Sequence, residues 1–444
     1  MKKILLAFAL LLTGISAFAQ RYATRIVKDG LYIPWEITYG PDDHIWLTQK
    51  NGYICRLNPK DGKMDTLAFL PEVEVLGGGE GGLLGLALHP AFKDTPYVYV
   101  AYNYDRAGVY TEKIVRYRYN GTALVGPTIL LDNIQAAVLH NGCRLVIAEG
   151  KLYISTGDAY DKTTPQDRSS LNGKTLRINL DGSIPADNPI AGSPVWNWGL
   201  RNVQGMVYAN HRLYSSMHGA DIDDEINILS KGRNYGWPNV EGACNLPAEK
   251  IFCKDSNVVE PIYAWTPTIA PSGMDYYNHA MFPDLKNCLL VVALKAQRVY
   301  ALKLNGSFDS VLSVKMVDSL GGNRFRDVCI SPEGRIYVST SEWGGDKIIE
   351  LYDPRTTAIP TVSAPMPVMI SPNPSRDFVR VQIDPDLHGA GHYELRAADG
   401  RSVRSGELLP SGNNLDISQL PAGIYFLHGY HPGAVSFVAK VLKN

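Results

Sequence analysis

The chain of 444 residues carries 43 basic and 44 acidic residues, so its formal net charge is only −1. This balance provides no basic field for nucleic acid and no charged tract for a polyelectrolyte partner. The length exceeds that of one ordinary core and predicts a large and a smaller domain, while 41 glycines and 25 tyrosines favour a β-rich fold.

The N-terminus has the pattern of a secretory signal peptide over residues 1–19. Lys2 and Lys3 precede an apolar run, which ends in the small residues Ala17 and Ala19. The run is shorter than the roughly 20 apolar residues that a membrane helix needs, and no later segment reaches that length. We therefore predict export of the chain, with cleavage before Gln20, and no membrane-spanning segment.

Residues 22–354 repeat one unit: an apolar strand, a polar turn and a second strand. Alternating apolar and polar residues, with Gly, Asn or Asp at the turns, are typical of β-hairpins. Six such hairpins predict an all-β fold, a six-bladed β-propeller around a central channel, whereas a β-sandwich gives no reason for six similar units. The first strands begin near residues 45, 97, 152, 213, 289 and 336.

Loops between these hairpins carry polar residues suited to catalysis. His140 lies just before a strand, and a histidine that titrates near neutral pH is a natural proton acceptor. Asp158 and the pair Arg201–Asn202 lie on other loops, and we expect Asp158 and Arg201 to form a buried ion pair. The alternative is structural: a surface histidine and a salt bridge that holds the fold.

Three cations form a second candidate group. Arg324 and Arg326 are two residues apart, so on a strand their side chains face the same way. Together with Lys295 they predict a pocket for a polyanionic small molecule, because arginine forks suit carboxylate or phosphate. The alternative is an exposed, solvated face.

The acidic residues between Asp221 and Glu225 are a candidate calcium site, because hard oxygen ligands suit that ion. Their spacing is not that of an EF-hand loop. A solvated acidic turn is the alternative.

The six cysteines contain no CxxC pair, which argues against a zinc or redox dithiol site. Cys244 and Cys253 flank a polar stretch and are a plausible disulfide in an oxidising compartment. We expect the remaining cysteines, which lie in or beside strand-like runs, to be free: Cys55, Cys143, Cys288 and Cys329.

After Asp353 the composition changes. Residues 355–367 are rich in Pro, Ser and Thr, which predicts a linker. Residues 368–444 contain short alternating strands and no cluster of His, Asp and Glu. They predict a small β-sandwich without a catalytic site.

In its hairpin-containing part the chain resembles the soluble dehydrogenases that depend on pyrroloquinoline quinone (PQQ), the glucose/sorbosone dehydrogenase family. The resemblance covers nearly all of residues 24–353. It rests on motifs that follow the family's order: EGGLLGLALHPAF, LHNGCRL, STGDA, LNGKTLRINLDGSIPADNP, GLRNVQGM, DEIN, KGRNYGWPNVEG, TPTIAPSGM and NRFRDV.

The resemblance implies a six-bladed propeller that oxidises the anomeric carbon of an aldose to a lactone by hydride transfer to PQQ. It makes His140 the general base and Arg201, oriented by Asp158, the group that stabilises charge on the quinone. It implies a calcium ion that acts as a Lewis acid. The cofactor positions are Glu80, Asp158, Arg201, Asn202, Thr268, Lys295, Arg324 and Arg326. The calcium positions are Gly219, Ala220, Glu225 and Tyr235.

The chain departs from the glucose enzymes at several of these places. Glu80 replaces a glutamine near the sugar, and Cys143 replaces a glycine just after the base, where it is expected to narrow the substrate side. Ala220 replaces a proline. Ala243 and Asn245 fall where ligands of a dimer-associated calcium are expected. These departures bear on substrate range and oligomeric state.

The C-terminal module resembles the type A sorting domain of type IX secretion, through SPNPSRDFVRV, LPAGIYFL and KVLKN. This resemblance implies export across an outer membrane by that machinery, followed by release or surface anchoring. An accessory carbohydrate-binding sandwich is the alternative for this module.

Two other functions are compatible with a calcium-containing propeller. One is a lactonase-type hydrolase, and the other is a non-catalytic carbohydrate-binding propeller. The dehydrogenase interpretation requires an aldose substrate, PQQ, calcium and an external electron acceptor.

Overall fold

The computed structural model describes residues 22–357, 368–382, 391–409, 413–430 and 437–444. The predicted signal peptide at 1–19 and most of the predicted linker at 355–367 lie outside these residues. The chain divides into two compact units, with the boundary between Pro354 and Arg355.

The first unit contains six antiparallel sheets of four strands each. The innermost strands of neighbouring sheets contact one another around a closed ring, which confirms the six-bladed propeller. Blade one comprises β2 (Pro34–Tyr39), β3 (Ile45–Gln49), β4 (Tyr53–Leu57) and β5 (Met64–Phe69). Blade two comprises β6 (Leu83–Leu88), β7 (Tyr97–Arg106), β8 (Val109–Tyr119) and β9 (Leu124–Gln135). Blade three comprises β10 (Gly142–Ala148), β11 (Lys151–Thr156), β12 (Lys174–Asn179) and β13 (Val195–Trp198).

The remaining blades follow the same order from the channel outward. Blade four comprises β14 (Val203–Ala209), β15 (Arg212–Met217), β16 (Asp224–Leu229) and β17 (Tyr263–Trp265). Blade five comprises β18 (Pro271–Tyr277), β19 (Cys288–Ala293), β20 (Arg298–Leu304) and β21 (Val311–Met316). Blade six comprises β22 (Phe325–Ile330), β23 (Ile336–Thr340), β24 (Asp346–Tyr352) and, from the start of the chain, β1 (Ala23–Leu31). The pairing of β1 with β24 closes the ring.

Apolar side chains fill the spaces between blades. Leu84 and Ile114 of blade two and Leu152 and Leu176 of blade three belong to one buried cluster. Burial of each such side chain stabilises the fold by about 1.5–3 kcal/mol. The propeller core is therefore a ring of interfaces rather than one centre.

A charged network crosses the channel. Arg144 of β10 contacts Glu36 of β2 at 2.7 Å and Asp327 of β22 at 3.0 Å. Its guanidinium also lies 4.2 Å from the ring centroid of Trp35. Arg144 therefore links three blades within the channel.

The strand directions explain which residues meet at each mouth of the channel. Within a blade the first two strands are antiparallel, so the start of the first and the end of the second lie at the same end. The predicted site residues fall at these points, whereas the far ends of the inner strands line a cavity of about 750 Å³ that includes Asp275, Tyr276 and Cys329.

Helices are few among the described residues. The α-helices are α1 (Pro247–Ser256) and α2 (Pro354–Thr357), and two short 3-10 turns cover Pro283–Leu285 and Asp318–Leu320. Pro at the first helical position and the left-handed Asn257 after the last turn define the ends of α1. None of the described helices is long and apolar enough to cross a membrane.

The structure confirms the plausible disulfide between Cys244 and Cys253, which joins the segment before α1 to the helix. The other four cysteines are buried and free, as expected: Cys55, Cys143, Cys288 and Cys329.

The second unit is a small β-sandwich, as predicted. One sheet contains β25 (Met369–Ser371), β26 (Phe378–Gln382) and β29 (Asn413–Asp416). The other contains β28 (Ser402–Leu408), β27 (Gly391–Ala397), β30 (Gly423–Tyr430) and β31 (Phe437–Lys443). Both sheets contribute to one buried core, which includes Val379, Leu395, Leu415 and Leu427.

Candidate active site

His140 and Asp158 form a hydrogen-bonded dyad at one mouth of the channel. Nδ1 of His140 lies 2.7 Å from Oδ1 of Asp158, and both side chains are buried. Because a carboxylate only accepts, Nδ1 carries the proton and Nε2 is left as an acceptor. No described residue bonds to Nε2, so this nitrogen is available to take a proton.

The backbone around His140 is held in an unusual conformation. His140 has a φ of 63°, in the left-handed region, which costs energy for a residue with a side chain. Its N–H donates to Oε2 of Glu80 at 2.9 Å, and its carbonyl accepts from the N–H of Ala159 at 3.1 Å. These contacts fix the position of the imidazole.

The expected ion pair between Asp158 and Arg201 is absent from the described residues, and this expectation was wrong. The carboxylate of Asp158 bonds instead to His140, to the N–H of Tyr160 at 2.9 Å and to Nε1 of Trp237 at 2.8 Å. Asp158 meets Arg201 only through the backbone, where its N–H donates to the Arg201 carbonyl at 2.8 Å. Three donors already satisfy this buried carboxylate.

Tyr160 covers one face of the base. Its ring centroid lies 4.4 Å from that of His140, with the planes inclined by 30°. The side chain is 64 % exposed. Tyr160 is therefore an exposed neighbour of the buried imidazole.

Glu80 joins the dyad to Asn202. Oε2 of Glu80 accepts from Nδ2 of Asn202 at 3.0 Å as well as from the N–H of His140. Burial alone would raise the pKa of Glu80, but His218, His140 and these hydrogen bonds lower it overall. Glu80 is therefore an ionised acceptor beside the base.

The predicted cations lie at the same mouth, on blades five and six. Nζ of Lys295 donates to Oγ1 of Thr268 at 2.7 Å, and this ammonium is otherwise exposed. Nη1 of Arg326 donates to Oε1 of Gln204 at 2.9 Å, while its buried Nε has no partner. Burial, together with the charges of Arg144 and Arg324, lowers the pKa of Arg326 to about 10.

This cationic surface fits a polycarboxylate ligand. Lys295 retains unused N–H groups, and the Nε atoms of Arg201 and Arg326 are buried without a partner among the described residues. An unpaired buried donor is costly unless a ligand or water satisfies it. Arg324 adds a fourth positive charge, with its Nε bonded to the carbonyl of Ser341 at 3.3 Å.

Gly219 and Ala220 offer free carbonyl oxygens. Their N–H groups are bonded to carboxylates, to Asp224 at 2.9 Å and to Glu241 at 2.6 Å respectively. No described donor bonds to either carbonyl oxygen. Hard, neutral oxygens of this kind fit calcium, and the described residues contain no cluster of three or more His, Cys, Asp or Glu side chains that would form an alternative centre.

Glu225 and Tyr235 have separate hydrogen-bond partners in the structure. Glu225 accepts from the N–H of Gly242 and from Nδ2 of Asn227, both at 2.8 Å, and burial raises its pKa to about 7. The Tyr235 hydroxyl donates to the carbonyl of Ile228 at 2.7 Å. The assignment of these two positions to calcium stays a prediction.

The acidic turn is only partly solvated, because Asp221 is exposed, and its described residues form no group of three or more acids that could hold a metal ion. Oδ2 of Asp224 accepts from the N–H groups of Ile269 at 2.6 Å and Ala270 at 2.7 Å. Asp224 and Glu225 are both buried. Asp224 thus fixes the loops that carry Thr268 and Gly219.

Cys143 does not narrow the substrate side, contrary to expectation. Its side chain is fully buried in the core cluster between blades two and three. It lies beside Glu112, and burial raises the pKa of both groups, that of Glu112 to about 8. The side chain that distinguishes Cys143 from the glycine of the glucose enzymes therefore faces the core.

The sequence did not predict several neighbours of the site, among them Tyr160 and three further residues. Trp237 bonds to Asp158, and His218 is a neighbour of Glu80, with its Nε2 3.0 Å from the carbonyl of Pro271. Lys50 donates to the carbonyl of Gly79, and burial, with the charge of Arg326, lowers its pKa to about 8. The motif KGRNYGWPNVEG contained Trp237, but nothing in its spacing linked it to Asp158.

Comparison with known proteins agrees with this fold. A family profile described as glucose/sorbosone dehydrogenase matches residues 31–350. A second profile, described as a secretion system C-terminal sorting domain, matches residues 369–443.

Individual relatives are similar over most of the propeller. Quinoprotein glucose dehydrogenase B of Acinetobacter calcoaceticus is 31 % identical, over 77 % of this chain and 93 % of the relative. An aldose sugar dehydrogenase of Escherichia coli is 31 % identical, over 72 % and 90 %. The PQQ-bound structure of aldose sugar dehydrogenase from Streptomyces coelicolor covers 74 % of this chain and 98 % of its own, with 31 % identity and a TM-score of 0.64.

Proposed function

The chain belongs to the glucose/sorbosone dehydrogenase family, and we propose that it oxidises the anomeric carbon of aldose sugars to lactones with PQQ and calcium. The observation that carries this proposal is the His140–Asp158 hydrogen bond of 2.7 Å, which leaves Nε2 free opposite a cationic surface. A bare dyad suits several reactions. The cations beside it favour an acidic cofactor.

The residues divide into groups with different tasks. We assign proton removal from the anomeric hydroxyl to Nε2 of His140, with Asp158 fixing the tautomer and stabilising the imidazolium that forms. Arg201 provides positive charge where negative charge develops on the acceptor. The residues that would hold PQQ are Glu80, Asn202, Thr268, Lys295, Arg324 and Arg326.

When bound, PQQ supplies a quinone that accepts the hydride from the anomeric carbon. The hydroxyl proton goes to His140, so the sugar loses two electrons and two hydrogens and becomes a lactone. Calcium held by the carbonyls of Gly219 and Ala220 would contribute Lewis acidity. An external electron acceptor of unspecified identity completes the cycle.

Reconstitution tests this function. Purified protein with PQQ and calcium should reduce an electron-accepting dye in the presence of aldoses, and His140→Ala should lose at least about a hundredfold in kcat. The control is His211→Ala, because His211 is exposed on the turn between β14 and β15. Lack of PQQ binding, or lactone hydrolysis in its place, would overturn the proposal.

We also propose that the C-terminal sandwich directs export by type IX secretion. The support is the sorting-domain profile over residues 369–443. In a host with that machinery, full-length protein should reach the surface or medium. A chain truncated after Pro354 should stay in the periplasm, and equal export of both chains would contradict the assignment.

A further inference from the structure

The carboxylate of Asp158 depends on one indole for one of its oxygens. Asp158 is 1 % exposed, and its Oδ1 accepts hydrogen bonds from Nδ1 of His140 and from the backbone N–H of Tyr160. Its Oδ2 accepts from Nε1 of Trp237 at 2.8 Å, and no other described side chain donates to that oxygen. Removing this donor would leave a buried anionic oxygen unpaired, which is strongly unfavourable.

The same indole also contacts Arg201. The guanidinium carbon of Arg201 lies 5.3 Å from the ring centroid of Trp237, within the range of a cation–π interaction. The other contacts of this guanidinium are weak: Nη1 reaches the carbonyl of His218 at 3.4 Å, and Nε has no partner among the described residues. The ring face is therefore the main support for Arg201.

Trp237 is itself firmly held. The residue is 4 % exposed. Its backbone N–H donates to the carbonyl of Gly199 at 3.0 Å, and its backbone carbonyl accepts from Nε2 of Gln166 at 2.7 Å. Gln166 is fixed in turn by two hydrogen bonds to Asn234, of 2.8 and 3.1 Å. The indole is thus a rigid support rather than a mobile cover.

We propose that Trp237 is a positioning residue that links the base to the charge-stabilising arginine. The indole N–H of Trp237 orients the carboxylate of Asp158 and, through it, His140. The indole ring supports Arg201. This assignment rests on the proposed function, because it gives the two groups linked roles in one reaction. A small displacement of such groups lowers the rate of the chemical step far more than it weakens binding.

Trp237→Phe separates the two contacts, because it retains an aromatic ring near Arg201 and removes the N–H. We expect kcat to fall about 10- to 100-fold, with the sugar KM changed by less than about threefold. Since a hydrogen bond favours the ionised carboxylate, its loss should also move the acidic limb of kcat/KM to higher pH. Trp237→Leu removes the ring too and should lower kcat further.

The matched control is Trp196→Phe. Trp196 is also a tryptophan near a guanidinium, 4.5 Å from that of Arg177, but it lies on β13 and has no contact with the dyad. Trp196→Phe should leave kcat and the pH profile unchanged within about twofold. If Trp237→Phe behaves like this control, or changes KM alone, the inference is wrong.

A measurement without cofactor keeps this test independent of the proposed function. In apo protein, the Nδ1 proton of His140, assigned by its loss in His140→Ala, should exchange with solvent at least about tenfold faster in Trp237→Phe. In folded Asp158→Asn, the Nε1 proton of Trp237 should exchange faster, whereas that of Trp196 should not. Unchanged exchange in both would overturn the positioning role, even if the enzyme oxidises sugars. Loss of sugar oxidation in wild type with the expected exchange would overturn only the proposed function.

Discussion

The two sides of the candidate active site differ in how completely the protein itself satisfies them. On the base side, three donors bond to the buried carboxylate of Asp158, and the imidazole of His140 lies against Tyr160. On the cation side, Lys295 makes one hydrogen bond and Arg326 retains an unpaired buried Nε. The base is therefore positioned without any ligand. The cations, in contrast, retain N–H donors that a ligand can satisfy.

From this difference we expect the base side to determine the rate of the chemical step and the cation side to determine the affinity for the cofactor. A preorganised acid–base group contributes mainly to the chemical step. Donors without a protein partner contribute mainly to binding, because a ligand gains the full hydrogen bond when it satisfies them. Substitutions on the two sides should thus have separable effects.

The largest effect is expected for Asp158→Asn. An amide can present its NH2 group to Nδ1 and favour the wrong imidazole tautomer, so kcat should fall by at least about a hundredfold. PQQ affinity, measured by absorbance titration, should change by less than about threefold. A similar loss in affinity and in kcat would remove the distinction between the two sides.

A smaller, opposite pattern is expected for Lys295→Ala. Loss of one charge-assisted hydrogen bond at an exposed position should weaken PQQ binding about tenfold and leave kcat at saturating cofactor unchanged. Lys303→Ala serves as the control, because Nζ of Lys303 bonds to the carbonyl of Lys286 away from the site. Unchanged affinity in Lys295→Ala would contradict the cation assignment.

Glu80→Gln should affect substrate choice by only a few fold. A carboxylate accepts hydrogen bonds, whereas an amide also donates, so the relative kcat/KM values within an aldose panel should change by about two- to tenfold. The amide oxygen retains the bond from the N–H of His140, and kcat for the best sugar should therefore persist. Identical sugar preferences would place Glu80 away from the substrate.

The smallest effect on activity is expected at the far mouth of the channel, for Asp275→Asn. Burial raises the pKa of Asp275 from 3.8 to about 7, so the native state retains a proton that the unfolded chain releases above pH 4. This group therefore lowers wild-type stability as pH rises from about 4 to 7, by about 1–4 kcal/mol. Thermal unfolding should show Asp275→Asn to be more stable than wild type at pH 8 and equal to it near pH 4, with unchanged kcat. Equal stability of the two proteins at pH 8 would contradict this pKa.

The sequence was sufficient to predict the propeller because each blade contains a hairpin of strongly apolar strands. Each predicted hairpin begins with the second strand of a blade rather than with its innermost strand. These second strands are β3, β7, β11, β15, β19 and β23. The inner strands and the closure of blade six by β1 were not predicted. Pairing residue 23 with residue 352 depends on long-range geometry that no local pattern contains.

The site was predictable in its location but not in its contacts. His140, Arg201 and Arg326 lie in motifs, and antiparallel strands bring them to one mouth. The partner of Asp158 depends on the long connection from β16 to β17, which carries Trp237 back to the channel. Sequence spacing gives no information about such a loop path, which is why an Asp158–Arg201 pair was expected instead.

Our assignment is that the base side performs the proton transfer and the cation side holds the cofactor. An anaerobic single-turnover experiment tests it most directly, by following the absorbance of bound PQQ after mixing with an aldose. Wild type should bind PQQ and reduce it rapidly, whereas His140→Ala should bind it equally well and reduce it at least about a hundredfold more slowly. Rapid reduction in His140→Ala, or loss of PQQ binding in that variant, would contradict this assignment.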